Sequence, residues 1–340
     1  MSSWFEIRVP RTLKWQPQVA GTFAHALVEH IASRMSFQLV CTHDQTRWII
    51  LSPDENNLSL DAARSLARSY YPEAEVLDPD GWGLDYPHHR RAVVFARNET
   101  DFFETFVDVQ ALRSHDPLAT MVQTLDQLQP GELLTYHVDV TGTITMTDED
   151  LLDLLTISAH EAGYRYRTTA PYRLDWAEHM GASLGNMIRN RKLKKERVPR
   201  YEDRDMERYV AKLRQKLLRV AVYLRFDSPV PERLQSLSDT VAAIKGLTNG
   251  SLAQLVDGVD RKGVVATDED SNALWPGSIL AEWDMAEDAK QQSRICPRDL
   301  ISLLTADEFA ALWHLPHEGF TASGIQWVDQ SVKPMPEILK

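Results

Sequence analysis

The chain has 340 residues, and 49 acidic against 37 basic side chains give a net charge of −12 at neutral pH. Hydrophobic residues make up 43% of it, enough to build a core, so wholesale disorder is excluded. The acidic balance excludes a chain-wide nucleic-acid surface and leaves room only for a local basic one. At roughly 100–200 residues per domain, the length fits two domains or one elaborated domain. No window approaches about 18 uninterrupted apolar residues, so no spanning helix is predicted. The start, MSSWFEIR, lacks the apolar region of a signal peptide. Cys41 and Cys296 stand far apart without metal-type spacing and are read as reduced thiols of a cytoplasmic protein.

In chain order, Phe5–Pro10 alternates apolar and polar residues as a half-buried strand does. Phe23, Leu27, Ile31 and Met35 recur every four residues and predict a helix over Val19–Met35. Phe37–Thr42 and Trp48–Leu51 flank a polar tip and predict a hairpin. A helix over Leu60–Tyr71 and a strand over Ala74–Leu77 complete β-α-β-β-α-β, the ferredoxin-like split β-α-β order.

The same order follows again. Arg91–Ala96 is a strand candidate, which Asp108–Ser114 extends or flanks. Asp116 and Pro117 supply an N-cap and a first-turn proline for a helix striped by Leu118, Val122, Leu125 and Leu128. Strands over Leu133–Val140 and Arg219–Phe226 and a helix over Pro231–Ile244 complete the set. The expected fold is therefore α+β, with two tandem ferredoxin-like modules at 1–84 and 85–257. The second carries a long helical insertion at 142–218, with helices over Asp148–Ala162, Leu174–Ile188 and Tyr201–Leu218. Residues 258–340 read as a loop-rich region, with Cys296–Thr305 as one helix or turn. A short helix over 305–314 has a capping box from Thr305 and Glu308 and stops at Pro316. An extended tail carrying Pro334 and Pro336 ends the chain.

No catalytic sequence pattern is complete. Gly181–Asn186 and Lys245–Ser251 miss the Walker A spacing, and no Rossmann glycine fingerprint or Gly-x-Ser-x-Gly elbow occurs. His160 and Glu161 lack the second His of a zinc protease, because Tyr164 stands at that position. His88 and His89 sit in a turn. His314 and His317 flank a helix end and could hold a metal with a third ligand from elsewhere, although capping and polar packing is the favoured reading. No catalytic residue, metal ligand or cofactor is assigned, and the chain is read as a non-enzyme.

The compositional anomaly is basic: Arg189, Arg191, Lys192, Lys194, Lys195, Arg197 and Arg200 crowd twelve residues against one acid, Glu196. Such a run suits phosphates of nucleic acid or an anionic membrane surface, an acidic partner subunit, or simply a solvated helix face.

Two stretches carry a family resemblance. WFEIRVPR at Trp4–Arg11 resembles the opening of type IV secretion-like conjugative DNA-transfer (coupling-type) ATPases, where an E-I-R-V-P-R strand begins the non-motor region. LLTADEFAALWHLPH at Leu303–His317, then Ile325–Trp327, resembles the helix and strand just before the motor in such proteins. Asp116–Leu118 and Gly131–Glu132 are compatible with it. The Walker A and Walker B motor expected beyond the Pro-rich linker has no matching residues before Lys340, so ATP hydrolysis is not carried over. The resemblance implies a non-catalytic assembly or docking module, with Phe309, Trp313, His314 and Trp327 facing a motor ATPase in cis or in trans. DNA and a peripheral membrane or membrane-protein contact at the inner face of the membrane are further partner candidates, and self-association is left open. A nucleic-acid-binding adaptor acting through 189–200 is the alternative, and a metal-dependent hydrolase using His160, Glu161 or His314 the third.

Overall fold

Strand β1 (Trp4–Arg8) leads into helix α1 (Pro17–His30), the hairpin β2 (Met35–Thr42) and β3 (Thr46–Leu51), helix α2 (Leu58–Tyr70) and β4 (Glu75–Leu77). Then come β5 (His89–Arg97), helix α3 (Pro117–Thr124), the long strands β6 (Leu133–Thr145) and β7 (Lys216–Ser228), and β8 (Leu255–Asp257). Strand β9 (Ser302–Leu304) and helix α4 (Ala306–Leu312) follow. The computed structural model describes residues 4–31, 34–52, 58–78, 89–97, 109–112, 116–145, 211–235, 240, 242, 244–245, 255–257 and 302–328.

The described strands form one continuous antiparallel sheet in the order β4-β1-β3-β2-β6-β7-β5-β8, with β9 paired to β7. The fold is therefore mixed, with helices on an antiparallel sheet. Within each half the order is the same and runs outward from the β2–β6 seam, where Met35–Thr42 pairs with Leu133–Val140. That seam welds the two halves through backbone hydrogen bonds between distant segments. At the β6–β7 ladder the register shifts between Val140 and Gly142.

Strand alternation explains which residues are inside. Phe5, Ile7, Phe37, Leu39, Trp48, Ile50, Tyr136, Val138, Val220, Val222 and Leu224 share one core with Phe23 and Leu27 of α1, Leu60 of α2, Leu118 and Val122 of α3, and Phe309 of α4. The intervening residues Trp4, Val40, Ile49, Leu51 and Leu133 form a smaller cluster on the opposite face.

Several boundaries differ from expectation. Helix α1 stops at His30, and Met35 opens β2 instead of closing the helix, because the chain turns extended at Ile31. Strands β6 and β7 extend to Thr145 and from Lys216, so both ends of the expected insertion are strand, including the tail of the helix expected over Tyr201–Leu218. Ser302–Leu304, expected as part of a helix or turn, is strand β9, drawn into the ladder by Leu218–Val220. The other insertion helices and all of 258–300 lie outside the described residues.

Candidate functional site

Helix α4 is only seven residues long and is held by its ends. Thr305 Oγ1 accepts from Glu308 N–H, and the Glu308 carboxylate accepts from Thr305 N–H at 2.9 Å, the expected capping box. The same carboxylate lies 2.9 Å from Lys212 Nζ, both side chains being buried. Beyond the helix, Trp313 is extended, and Pro316 follows. Trp48 Nε1–H donates to His314 O at 2.8 Å and Tyr136 OH to Leu312 O at 3.1 Å. These bonds fix the path of the chain and present His314 and His317 to one neighbour.

That neighbour is Asp116, the N-cap of α3. Its Oδ1 accepts from Leu118 N–H at 2.9 Å, while Oδ2 lies 3.0 Å from both His314 Nε2 and His317 Nε2. One ligand-type atom from each of the three residues falls within 4.8 Å of the others. Burial alone would raise the Asp116 carboxyl; the charge and hydrogen bonds of His314, joined by those of His317, outweigh it and hold the carboxyl well below the usual range. The Trp15 ring covers both imidazoles, at 4.6 Å from His314 and 4.7 Å from His317, and its Nε1–H donates to Leu112 O.

The proton inventory of the cluster is informative. Both nitrogens of His314 face acceptors, Nδ1 the Ala310 carbonyl at 3.0 Å and Nε2 the Asp116 carboxylate. A neutral imidazole has one N–H, so one of the two contacts needs a further proton, on the ring or on the carboxyl, or a metal ion. His317 differs: its Nδ1 accepts from Gly319 N–H at 3.1 Å, which puts its own proton on Nε2, directed at Asp116.

Two clefts flank the cluster. One of about 410 Å³ is lined by Leu13, Trp15, Tyr70, Tyr71, Leu315 and His317 among others, and is the more apolar of the two. The other, about 370 Å³, is lined by Asp116, Gln123, His317, Glu318 and Thr321 among others, and is more polar.

A second polar group lies on the sheet face opposite the helices. Ser36 Oγ donates to Asp139 Oδ1, Tyr223 OH donates to Asp139 Oδ2 at 2.7 Å, and Gln38 Nε2 donates to Ser36 Oγ at 2.7 Å. Burial pushes the Asp139 carboxyl up to about 6 against the pull of these donors and of Arg34. His137 stacks on Tyr223 at 4.2 Å, with neither ring nitrogen hydrogen-bonded, and burial followed by the Arg225 charge drives its pKa well down.

The structure places the expected docking residues unevenly. Phe309, Trp313 and His314 are interior, with Phe309 and Trp313 edge-on to Phe37 at 4.8 and 5.1 Å. All three pack within the chain, the Trp313 indole N–H being buried without a hydrogen-bond partner, whereas Trp327 is half-buried beside the core. The basic residues Arg189, Arg191, Lys192, Lys194, Lys195, Arg197 and Arg200, with His160, Glu161 and Cys296, lie outside the described residues. Asp116 appears in the sequence only as a helix cap; its meeting with two histidines 198 and 201 residues onward is a product of the fold.

The described residues thus belong to a protein of helices on an antiparallel sheet, with a buried His–His–Asp cluster. No protein-family model and no curated protein matches the chain. Among the described residues no helix is long and apolar enough to cross a membrane.

Proposed function

We propose that this chain is a non-catalytic assembly or docking module of a type IV secretion-like DNA-translocating machine, working beside a motor ATPase. Its sheet is, on this reading, two ferredoxin-like modules joined edge to edge with a helical insertion between β6 and β7. The repeated strand order on either side of the β2–β6 seam supports that reading. The observation that carries the functional proposal is that the two resemblance-bearing stretches share one core: Ile7 and Val9 lie in the same buried cluster as Phe309, Leu312 and Ile325. Val328, just past the second stretch, donates its N–H to Val9 O at 3.0 Å. Such shared packing supports a reading in which the segment before a motor is held against the start of the non-motor region.

Co-expression with a Walker A-bearing ATPase encoded in the same operon tests this. A stoichiometric complex in size-exclusion chromatography is expected; elution of the chain alone beside every such ATPase overturns it. The charge run at 189–200 favours a second reading, a nucleic-acid adaptor. On that reading DNA affinity falls steeply with salt and is lost when Arg191, Lys192, Lys194 and Lys195 become Glu, and unchanged affinity in that variant removes it.

A further inference from the structure

We infer that Asp116, His314 and His317 form a binding site for a divalent transition metal, Zn2+ being the best match to two imidazoles and one carboxylate. The inference goes beyond the docking reading and does not rest on it. Ligands about 2.0–2.2 Å from zinc are themselves about 3.3–3.6 Å apart at tetrahedral angles and about 2.8–3.1 Å apart at octahedral ones. Asp116 Oδ2 stands 3.0 Å from each histidine Nε2 and the three ligand atoms lie within 4.8 Å of one another, so an ion can enter once the imidazoles adjust around it.

The surroundings are those of a held ligand set. The Ala310 carbonyl takes the Nδ1 proton of His314, which leaves Nε2 as the lone-pair nitrogen of a neutral ring. Leu118 N–H holds Asp116 Oδ1 and turns Oδ2 inward. Trp15 packs on both rings. A metal ion would lie between His314 Nε2 and Asp116 Oδ2, which stand 3.0 Å apart. His317 must also rearrange. Its proton moves from Nε2 to Nδ1, and the Gly319 N–H now facing Nδ1 turns away, which the exposed turn at Glu318 and Gly319 permits. The polar cleft beside Asp116 and His317 supplies the route in and a place for the water that completes the coordination. Three protein ligands from α3 and from the segment after α4 would tie residues 314–317 to the body of the fold.

The test uses the full chain, stripped with EDTA and titrated with ZnCl2 by calorimetry and with CoCl2 by visible absorbance. One equivalent with a Zn2+ Kd below about 10 μM and visible ligand-field bands with Co2+ are expected. Asp116→Asn keeps an oxygen for the Leu118 cap, and His317→Gln keeps a polar side chain, so both variants should retain the wild-type circular dichroism. Each should weaken Zn2+ by about 100-fold and abolish the Co2+ bands. Weaker wild-type binding overturns the inference, and so does tight binding that both folded variants retain, since the metal then sits on other histidines. Should either variant unfold, the Zn2+-dependent rise of the wild-type unfolding midpoint decides, and no rise at saturating Zn2+ overturns the site.

Discussion

Replacing Asp139 by Asn should make the protein more stable relative to wild type as the pH is raised from about 3.5 to about 7. In the fold the carboxyl is pushed from 3.8 up to about 6, because burial outweighs the donors Ser36 and Tyr223 and the charge of Arg34. The sign follows from linkage. Between those two values the native state holds more protons at this site than the unfolded chain, so stability falls as pH rises through the window and levels off above about 6. A shift of about two units corresponds to about 3 kcal/mol. Asn carries no such penalty, and its amide can still bond Ser36 and Tyr223. The variant therefore differs from wild type by a constant at low pH and by that constant plus about 3 kcal/mol in its favour near neutrality. Urea unfolding followed by tryptophan fluorescence at closely spaced pH values measures the difference, in which the slopes of all other groups cancel. A flat difference, or one that falls with pH, would refute the reasoning, because it would mean that the ionised carboxylate is favoured by its donors and Arg34.

The other expectations concern packing and ends. His137→Phe should stabilise the fold by about 1–3 kcal/mol in the same unfolding assay, since it removes two buried unpaired nitrogens while keeping the stack on Tyr223; a loss of stability would show that a ring nitrogen is in use. Phe309→Ala should cost about 3–5 kcal/mol, as expected for a core ring 1% exposed against Phe37 and Trp313, and a cost near zero would mean that the segment is not packed as described. Thr305→Ala should cost about 1 kcal/mol through the lost cap, whereas Glu308→Ala should cost about 3–5 kcal/mol because it leaves Lys212 buried without this carboxylate. Equal losses would separate the ion pair from the stability of α4. Gly131→Ala should cost about 1–2 kcal/mol, because residue 131 sits at φ +85 in the turn before β6; thermal midpoints of Ala and Asn variants, with Asn the milder, check it.

The parts of this fold that were legible in the sequence are those written in local chemistry. Alternation marked β1, β6 and β7, the four-residue stripe marked α1, and Thr305 with Glu308 and Asp116 with Pro117 marked the starts of α4 and α3. Ser302–Leu304 was not legible, because a short apolar run has the same composition in a buried strand and a buried helix, and only its pairing with Leu218–Val220 decides. The end of α1 failed for a related reason: Ile31 and Met35 continue the helical stripe, yet their apolar side chains enter the same core from a turn and a strand. The resemblance implies that Phe309 and Trp313 face a motor. Helix length and capping say nothing about which face meets the sheet, and here that face takes both rings inside. The candidate cluster was half visible, as an i, i+3 histidine pair lacking its third member.

That third member shows how the two halves of the sheet and the last segment depend on one another. Asp116 serves α3 through Oδ1 and the histidines through Oδ2, so capping a helix in the second half and clamping the segment after α4 are tasks of one carboxylate. Trp48 of β3, in the first half, holds the same segment through His314 O, and Tyr136 of β6 holds it through Leu312 O. Residues 312–317 therefore touch both halves across the β2–β6 seam. A perturbation at the cluster should loosen the seam, while one confined to the edge strand β4 should not. Hydrogen exchange distinguishes the two: Asp116→Asn should speed exchange in Met35–Thr42 and Leu133–Val140, and Val76→Ala in β4 should leave those amides unchanged. Equal acceleration by both variants would mean that the sheet opens as a single cooperative unit, and the segment after α4 would then have no special role in holding the halves together.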